Sequence, residues 1–209
     1  MDSSKTLFIR EFFQTFTTTG AILPSGRHLA RGLAAPIRDI QGPRRILEAG
    51  PGTGAVTNAL IRELQPEDEL TLCEINPSFA DHLTNQLNQD MFWCSRRHQI
   101  RLVQKDVRDL FEEGRFDFIV SGLPLNNFPS PLVSDLVKGF IGSLSPEGSH
   151  TFFEYIWIRE IRQHLGKQSD RERMKNISQI VDQHLSEHHW SRRPIFANVP
   201  PAWVYTVRV

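Results

Sequence analysis

Apolar and polar positions along the chain alternate between two periods. In residues 4–18, Leu7, Phe8, Phe12 and Phe16 fall near one face at helical spacing, and Leu29, Leu33 and Ile37 do the same in a short helix over 27–40. A loop with Gly20 and Pro24 separates the two. Five apolar runs bounded by turn residues then predict buried strands, at 45–49, 69–75, 99–104, 116–121 and 150–157. Helical spacing fills three of the gaps, at 55–64, 78–87 and 131–144, with Asn76-Pro77 and Ser145-Pro146-Glu147-Gly148 as breaks. Residues 158–189 read as charged and helical. The tail holds two strand-like runs, 195–199 and 203–209, around Pro200-Pro201, a hairpin signal.

Strands that alternate with helices make a parallel sheet covered on both faces, here closed by an antiparallel hairpin. The expected fold is therefore α/β and doubly wound, with a helical extension at residues 1–40 and the sheet domain at 41–209. A chain of 209 residues, 39% apolar and 23% charged, is enough for one full core. Cys73 and Cys94 form neither a metal spacing nor a disulfide framework, and no apolar run is long enough to span a bilayer. A reducing, cytoplasmic setting is expected. The 24 basic and 24 acidic side chains balance, so net charge implies no polyanionic partner. Locally they do not balance. Up to position 45, Lys5, Arg10, Arg27, Arg31, Arg38, Arg44 and Arg45 face only Asp2, Glu11 and Asp39.

In open α/β sheets ligands bind beyond the carboxyl ends of the strands, so the loops there carry the chemistry. After the first strand the chain reads Glu48-Ala49-Gly50-Pro51-Gly52-Thr53-Gly54, an E-x-G-x-G-x-G loop. Glycines there let backbone turn tightly against a ligand. The spacing is closer than the G-x-G-x-x-G of pyrophosphate-binding loops, and an acid opens it, which suits a ligand with an ammonium group and no phosphate. About 20 residues on, Glu74 ends the second strand and can accept from a ribose diol. Asp106 ends the third and can accept from an exocyclic amine.

At this point the chain resembles the class I S-adenosylmethionine (SAM)-dependent methyltransferases, with their Rossmann-like seven-stranded sheet. In particular it resembles the bacterial phospholipid and ornithine lipid N-methyltransferases, relatives of the ribosomal RNA adenine dimethylases. Residues 19–26, 47–54 and 121–129 carry the resemblance. It implies SAM as cofactor, S-adenosylhomocysteine as product, and Glu48, Gly50, Gly52 and Glu74 as cofactor contacts, to which the strand ends add Asp106 and Ser121. Adenine-methylating relatives carry an Asn and an aromatic ring in the loop after strand four, to hold and stack a base. Here Gly122 and Leu125 stand in their place, which argues against a nucleic acid and for a narrow site that takes a small alkyl amine. Adenine N6-methylation of RNA or DNA is the alternative activity, and SAM binding without catalysis a third.

An amine attacks a sulfonium only when neutral, and a desolvated pocket favours that form. Ser121, Leu123, Asn126 and Asn127 can line such a pocket. Tyr155, after strand five, can position the amine, and Arg159 can pair with an anionic headgroup. Ser121, Asn126 and Tyr155 are thus the expected catalytic residues, and no metal is called for. The step Phe153-Glu154-Tyr155 departs from the Tyr-Gly step of phosphatidylethanolamine enzymes, which leaves ornithine lipid as a rival headgroup. Phe8, Phe12, Phe13 and Phe16 with Lys5 and Arg10 can lie in a bilayer interface, and Arg27, Arg31 and Arg38 can add attraction to anionic lipid. The expected location is the inner face of the membrane. Oligomeric state leaves no trace in the pattern.

Overall fold

The computed structural model describes residues 26–156 and 168–209. The expected amino-terminal helix over 4–18, and Trp157 and Arg159, lie outside them. One mixed sheet of seven strands runs through the molecule in the order β3-β2-β1-β4-β5-β7-β6. Strands β1 (Arg45–Ala49), β2 (Glu69–Cys73), β3 (Ile100–Val103), β4 (Phe116–Ser121) and β5 (Leu144–Tyr155) are parallel, and β6 (His189–Ile195) and β7 (Ala202–Arg208) add the antiparallel hairpin. The order reverses between β1 and β4, the switch point at which such sheets bind ligands.

Six α-helices are described: α1 (Arg27–Ala34), α2 (Ala55–Ile61), α3 (Pro77–Gln89), α4 (Met91–Cys94), α5 (Ser130–Gly142) and α6 (Gln168–Ser186). Ile46, Phe118 and Val120 face a core with Leu29, Leu33 and Ile37 from the α1 region, Leu60 from α2 and Leu83 from α3. Leu47, Ile119 and Phe152 face the other core, with Val133, Leu136 and Phe140 from α5 and Met174, Ile177, Val181 and Leu185 from α6. Strands buried on both faces explain why β1 and β4 read as unbroken apolar runs. Residues 27–40 share this core: Leu29, Leu33 and Ile37 are fully buried, and Thr151 of β5 donates to the Leu33 carbonyl at 2.9 Å.

Two expectations need correction. The penultimate strand is His189–Ile195, and 196–201 form its turn, whereas 195–199 was the expected strand. Strand β5 begins at Leu144 and absorbs the expected break at 145–148 through a shift of register between Phe116 and Phe118.

At the amino edge of the sheet, the buried Arg44 guanidinium grips the Asp68 carboxylate and donates to the carbonyls of Ile37 and Glu63. Asp68 also accepts from the backbone of Arg44 and Gln65. This network ties α1, α2 and the starts of β1 and β2 together.

Candidate active site

The site grows from three loop ends at the carboxyl edge. Gly50, Gly52 and Gly54 have φ of 71°, 56° and 81°, a region that favours glycine. Gly50 N–H donates to Cys73 O on β2, and Gly122 N–H to Ala49 O on β1, so the loops after β1, β2 and β4 are stitched into one floor. A Cβ on Gly122 would lie 2.9 Å from Gly50 O, and one on Gly50 would lie 2.5 Å from Leu123 Cδ2. Gly122 is thus glycine because the β4 loop presses on the β1 loop. The expectation that it shapes a narrow acceptor slot is replaced by this packing reason. Leu125 likewise packs into the core and does not line the pocket above this floor.

Above this floor lies a narrow, partly enclosed pocket. Gly50, Glu74, Asp106 and Leu123 line it, together with apolar Ile75, Val107, Phe128, Leu132 and Leu136. The buried Glu74 carboxylate accepts from Gly52 N–H at 3.0 Å and Asn76 N–H at 2.8 Å. Burial raises its pKa, against the pull of those N–H groups. Asp106 caps a 3-10 turn at Arg108 N–H and pairs with the Arg108 guanidinium. A Cβ on Gly52 would meet nothing within 4 Å, so open space lies over the loop there. A buried acceptor beside an apolar slot, with open space over glycine, can offer a carboxylate to a diol and apolar walls to a flat ring.

Glu48 plays a different part from the expected cofactor contact. Its buried carboxyl accepts from the Thr57 hydroxyl at 2.7 Å, so it braces α2 beneath the loop and does not line the pocket. Burial pushes its pKa up to about 8, and the nearby Glu74 charge adds to the rise. Ser121 is buried, and its Oγ accepts from Leu123 N–H at 3.3 Å. Asn126 and Asn127 sit on a 3-10 turn in the same loop, and Arg173 of α6 donates to the Asn126 carbonyl. Tyr155 is half-buried and edge-on to Phe153, packed against the core on the α1 face and away from the pocket lining. Burial raises its pKa. The pocket walls Phe128, Leu132 and Leu136 were missed, since an apolar face on α5 reads as core in any case.

A family model, "Methyltransferase domain", matches residues 46–148. The ornithine lipid N-methyltransferase of Singulisphaera acidiphila is 31% identical over 161 residues, covering 73% of this chain and 79% of that protein. The chain belongs to the class I methyltransferases, in the family of that enzyme. The mitochondrial ribosomal RNA small subunit methyltransferase of Arabidopsis thaliana is also 31% identical, over 119 residues, which are 54% of this chain and 29% of that one. The O-methyltransferase of Bacillus cereus, solved with S-adenosylhomocysteine, superposes with a TM-score of 0.68 at 15% identity, over 98% of this chain and 91% of that one. The doubly wound fold expected of this methyltransferase is the fold it has, and its cofactor is SAM.

Proposed function

We propose that this methyltransferase transfers methyl groups from SAM to the primary amine of a membrane lipid headgroup, with an ornithine lipid as its first substrate and more than one round of transfer. The relationship with the ornithine lipid enzyme, over most of both chains, carries the reading. The mostly apolar pocket beside Leu123 and Phe128 is consistent with it. In this reading Glu74 and Gly50 hold the cofactor, with Ile75 and Val107 against the purine and Asp106 near its amine. SAM supplies a methyl group on a sulfonium, an electrophile already activated. The chain's own work is to desolvate the amine, which favours its neutral form, and to aim it. The carbonyls and side chains of the 121–127 loop are the groups proposed to orient the amine. Residues 1–16 are proposed to bring the enzyme to the inner face of the membrane, on the strength of their aromatic and basic pattern.

The test is methyl transfer to ornithine lipid, phosphatidylethanolamine and an adenine-containing RNA oligonucleotide, each in detergent, with products weighed by mass spectrometry. Ornithine lipid gaining successive methyl masses while the RNA stays unchanged is the expected result. Methylated RNA with inert lipid overturns it.

A further inference from the structure

The turn between β6 and β7 has an unusual surface. Phe196 is 69% exposed and Val199 83%, two of five large apolar side chains that stand out among the described residues. The turn is nevertheless braced. Between them Asn198 is buried, accepts from Gly26 N–H at 3.0 Å and donates to Pro200 O at 2.7 Å. A Cβ on Gly26 would strike Asn198 Oδ1, so the start of α1 sits hard against the turn. The two apolar side chains are held outward on a supported base, which distinguishes them from a frayed loop that happens to carry a Phe.

Their surroundings are rich in arginine. Arg27, His28 and Arg31 are exposed on α1, and Arg193 donates to Gly32 O beside them. His28, Arg31 and Arg193 line a cleft whose rim is Phe196. Its one acid, Glu63, is paired with Arg38. No Asp or Glu occurs between 26 and 38 or between 189 and 209. Exposed apolar side chains beside arginines, with the cleft's one carboxylate already held by Arg38, complement an anionic bilayer.

Position adds the third argument. Ile195 and Tyr155 are both in register with Ala202, and Ile156 N–H donates to Pro201 O. The turn therefore lies at the carboxyl end of β5, the same edge as the loops of the pocket. We infer that the 196–201 turn is a membrane-docking wedge: Phe196 and Val199 enter the interface of an anionic bilayer, the α1 cations hold its headgroups, and the carboxyl edge is turned toward the lipid. This rests on the lipid reading above.

The full chain is sedimented with vesicles of phosphatidylglycerol and phosphatidylcholine. The double variant Phe196→Ser/Val199→Ser should bind at least about tenfold more weakly. Arg27→Gln/Arg31→Gln should lose about fivefold per arginine and shed most of the salt dependence. Melting temperature and SAM affinity should match the parent in both. Undiminished binding by the serine variant overturns the wedge, and so does a parent that ignores the vesicles, or a concentration-dependent dimer that the serine variant abolishes. Transfer to ornithine lipid in detergent micelles keeps the two ideas apart. If the micelle reaction persists and docking fails, only the wedge falls. If the micelle reaction fails, the lipid reading falls with it.

Discussion

The two edges of the sheet hold similar charged groups in opposite ways. At the amino edge, Asp68 is saturated: it holds Arg44 through two guanidinium nitrogens and accepts two backbone N–H groups, and Arg44 spends its remaining donors on carbonyls. At the carboxyl edge, Glu74 is also buried, yet its contacts are with the backbone of a loop and it borders a pocket. The first arrangement locks the chain with an ion pair; the second holds a carboxylate by backbone N–H groups alone. A buried carboxylate is thus a fastening when every lone pair is taken by a fixed partner, and a binding group when its partners are loop amides beside a cavity.

Removing one partner of the saturated pair should have the largest effect. Asp68→Ala leaves the Arg44 charge buried, and the fold should lose about 3–5 kcal/mol in denaturant melts. A smaller loss would show that water reaches the edge.

Glu48 sharpens the contrast, because it is buried without a cation. Its folded pKa of about 8 lies above its unfolded value, so the native state holds a proton that the unfolded state releases. Stability from this group is present at low pH and is lost as pH rises through the folded value. Glu48→Gln should therefore gain on the parent by about 3 kcal/mol between about pH 5 and about pH 8. Parallel curves in melts across that range would contradict the assignment.

Glu74→Ala should weaken SAM about a hundredfold by calorimetry, about 2.7 kcal/mol, and lower stability by about 1–3 kcal/mol because the Gly52 and Asn76 N–H groups lose their acceptor. Equal affinity would return Glu74 to the class of Asp68.

The smallest effect concerns the far face. His150 is fully buried against Phe140 and Phe152, with neither ring nitrogen hydrogen-bonded, and burial drives its pKa down to about 3, helped by His184. Here the sign reverses: stability is complete above the unfolded value and falls as pH drops toward the folded one. His150→Leu should recover about 2 kcal/mol relative to the parent on going from neutral pH to about pH 5. An unchanged acid limb would mean the ring stays protonated inside.

Much of the scaffold is legible in the residue pattern, for a physical reason. Strands β1 and β4 match their expected bounds because both faces are buried and a glycine turn stops each run. Strand β6 escaped because it is an edge strand: five of its seven residues are exposed, Pro194 interrupts it, and it is held by backbone pairing to β7. The buried stripe of Met174, Ile177, Val181 and Leu185 on α6 has helical spacing, but charged neighbours drown it. In the pocket lining, the positions of Glu74 and Asp106 could be read from strand ends. The work of Glu48 could not, since Thr57 reaches it only after the chain has turned back through the loop.

The contact between Gly122 and the Gly50 carbonyl has a consequence for how such an enzyme changes its diet. The floor of the pocket and the loop after β4, in the proposed function the cofactor's seat and the threshold to the acceptor, are one tile, stitched by Gly122 N–H to Ala49 O and wedged by Leu123 against Gly50. A descendant that tries a side chain at 122, to greet a new acceptor, must lift the tile and loosen its hold on SAM in the same step. Novelty in substrate choice is therefore easier around Asn126, beyond the stitched residues.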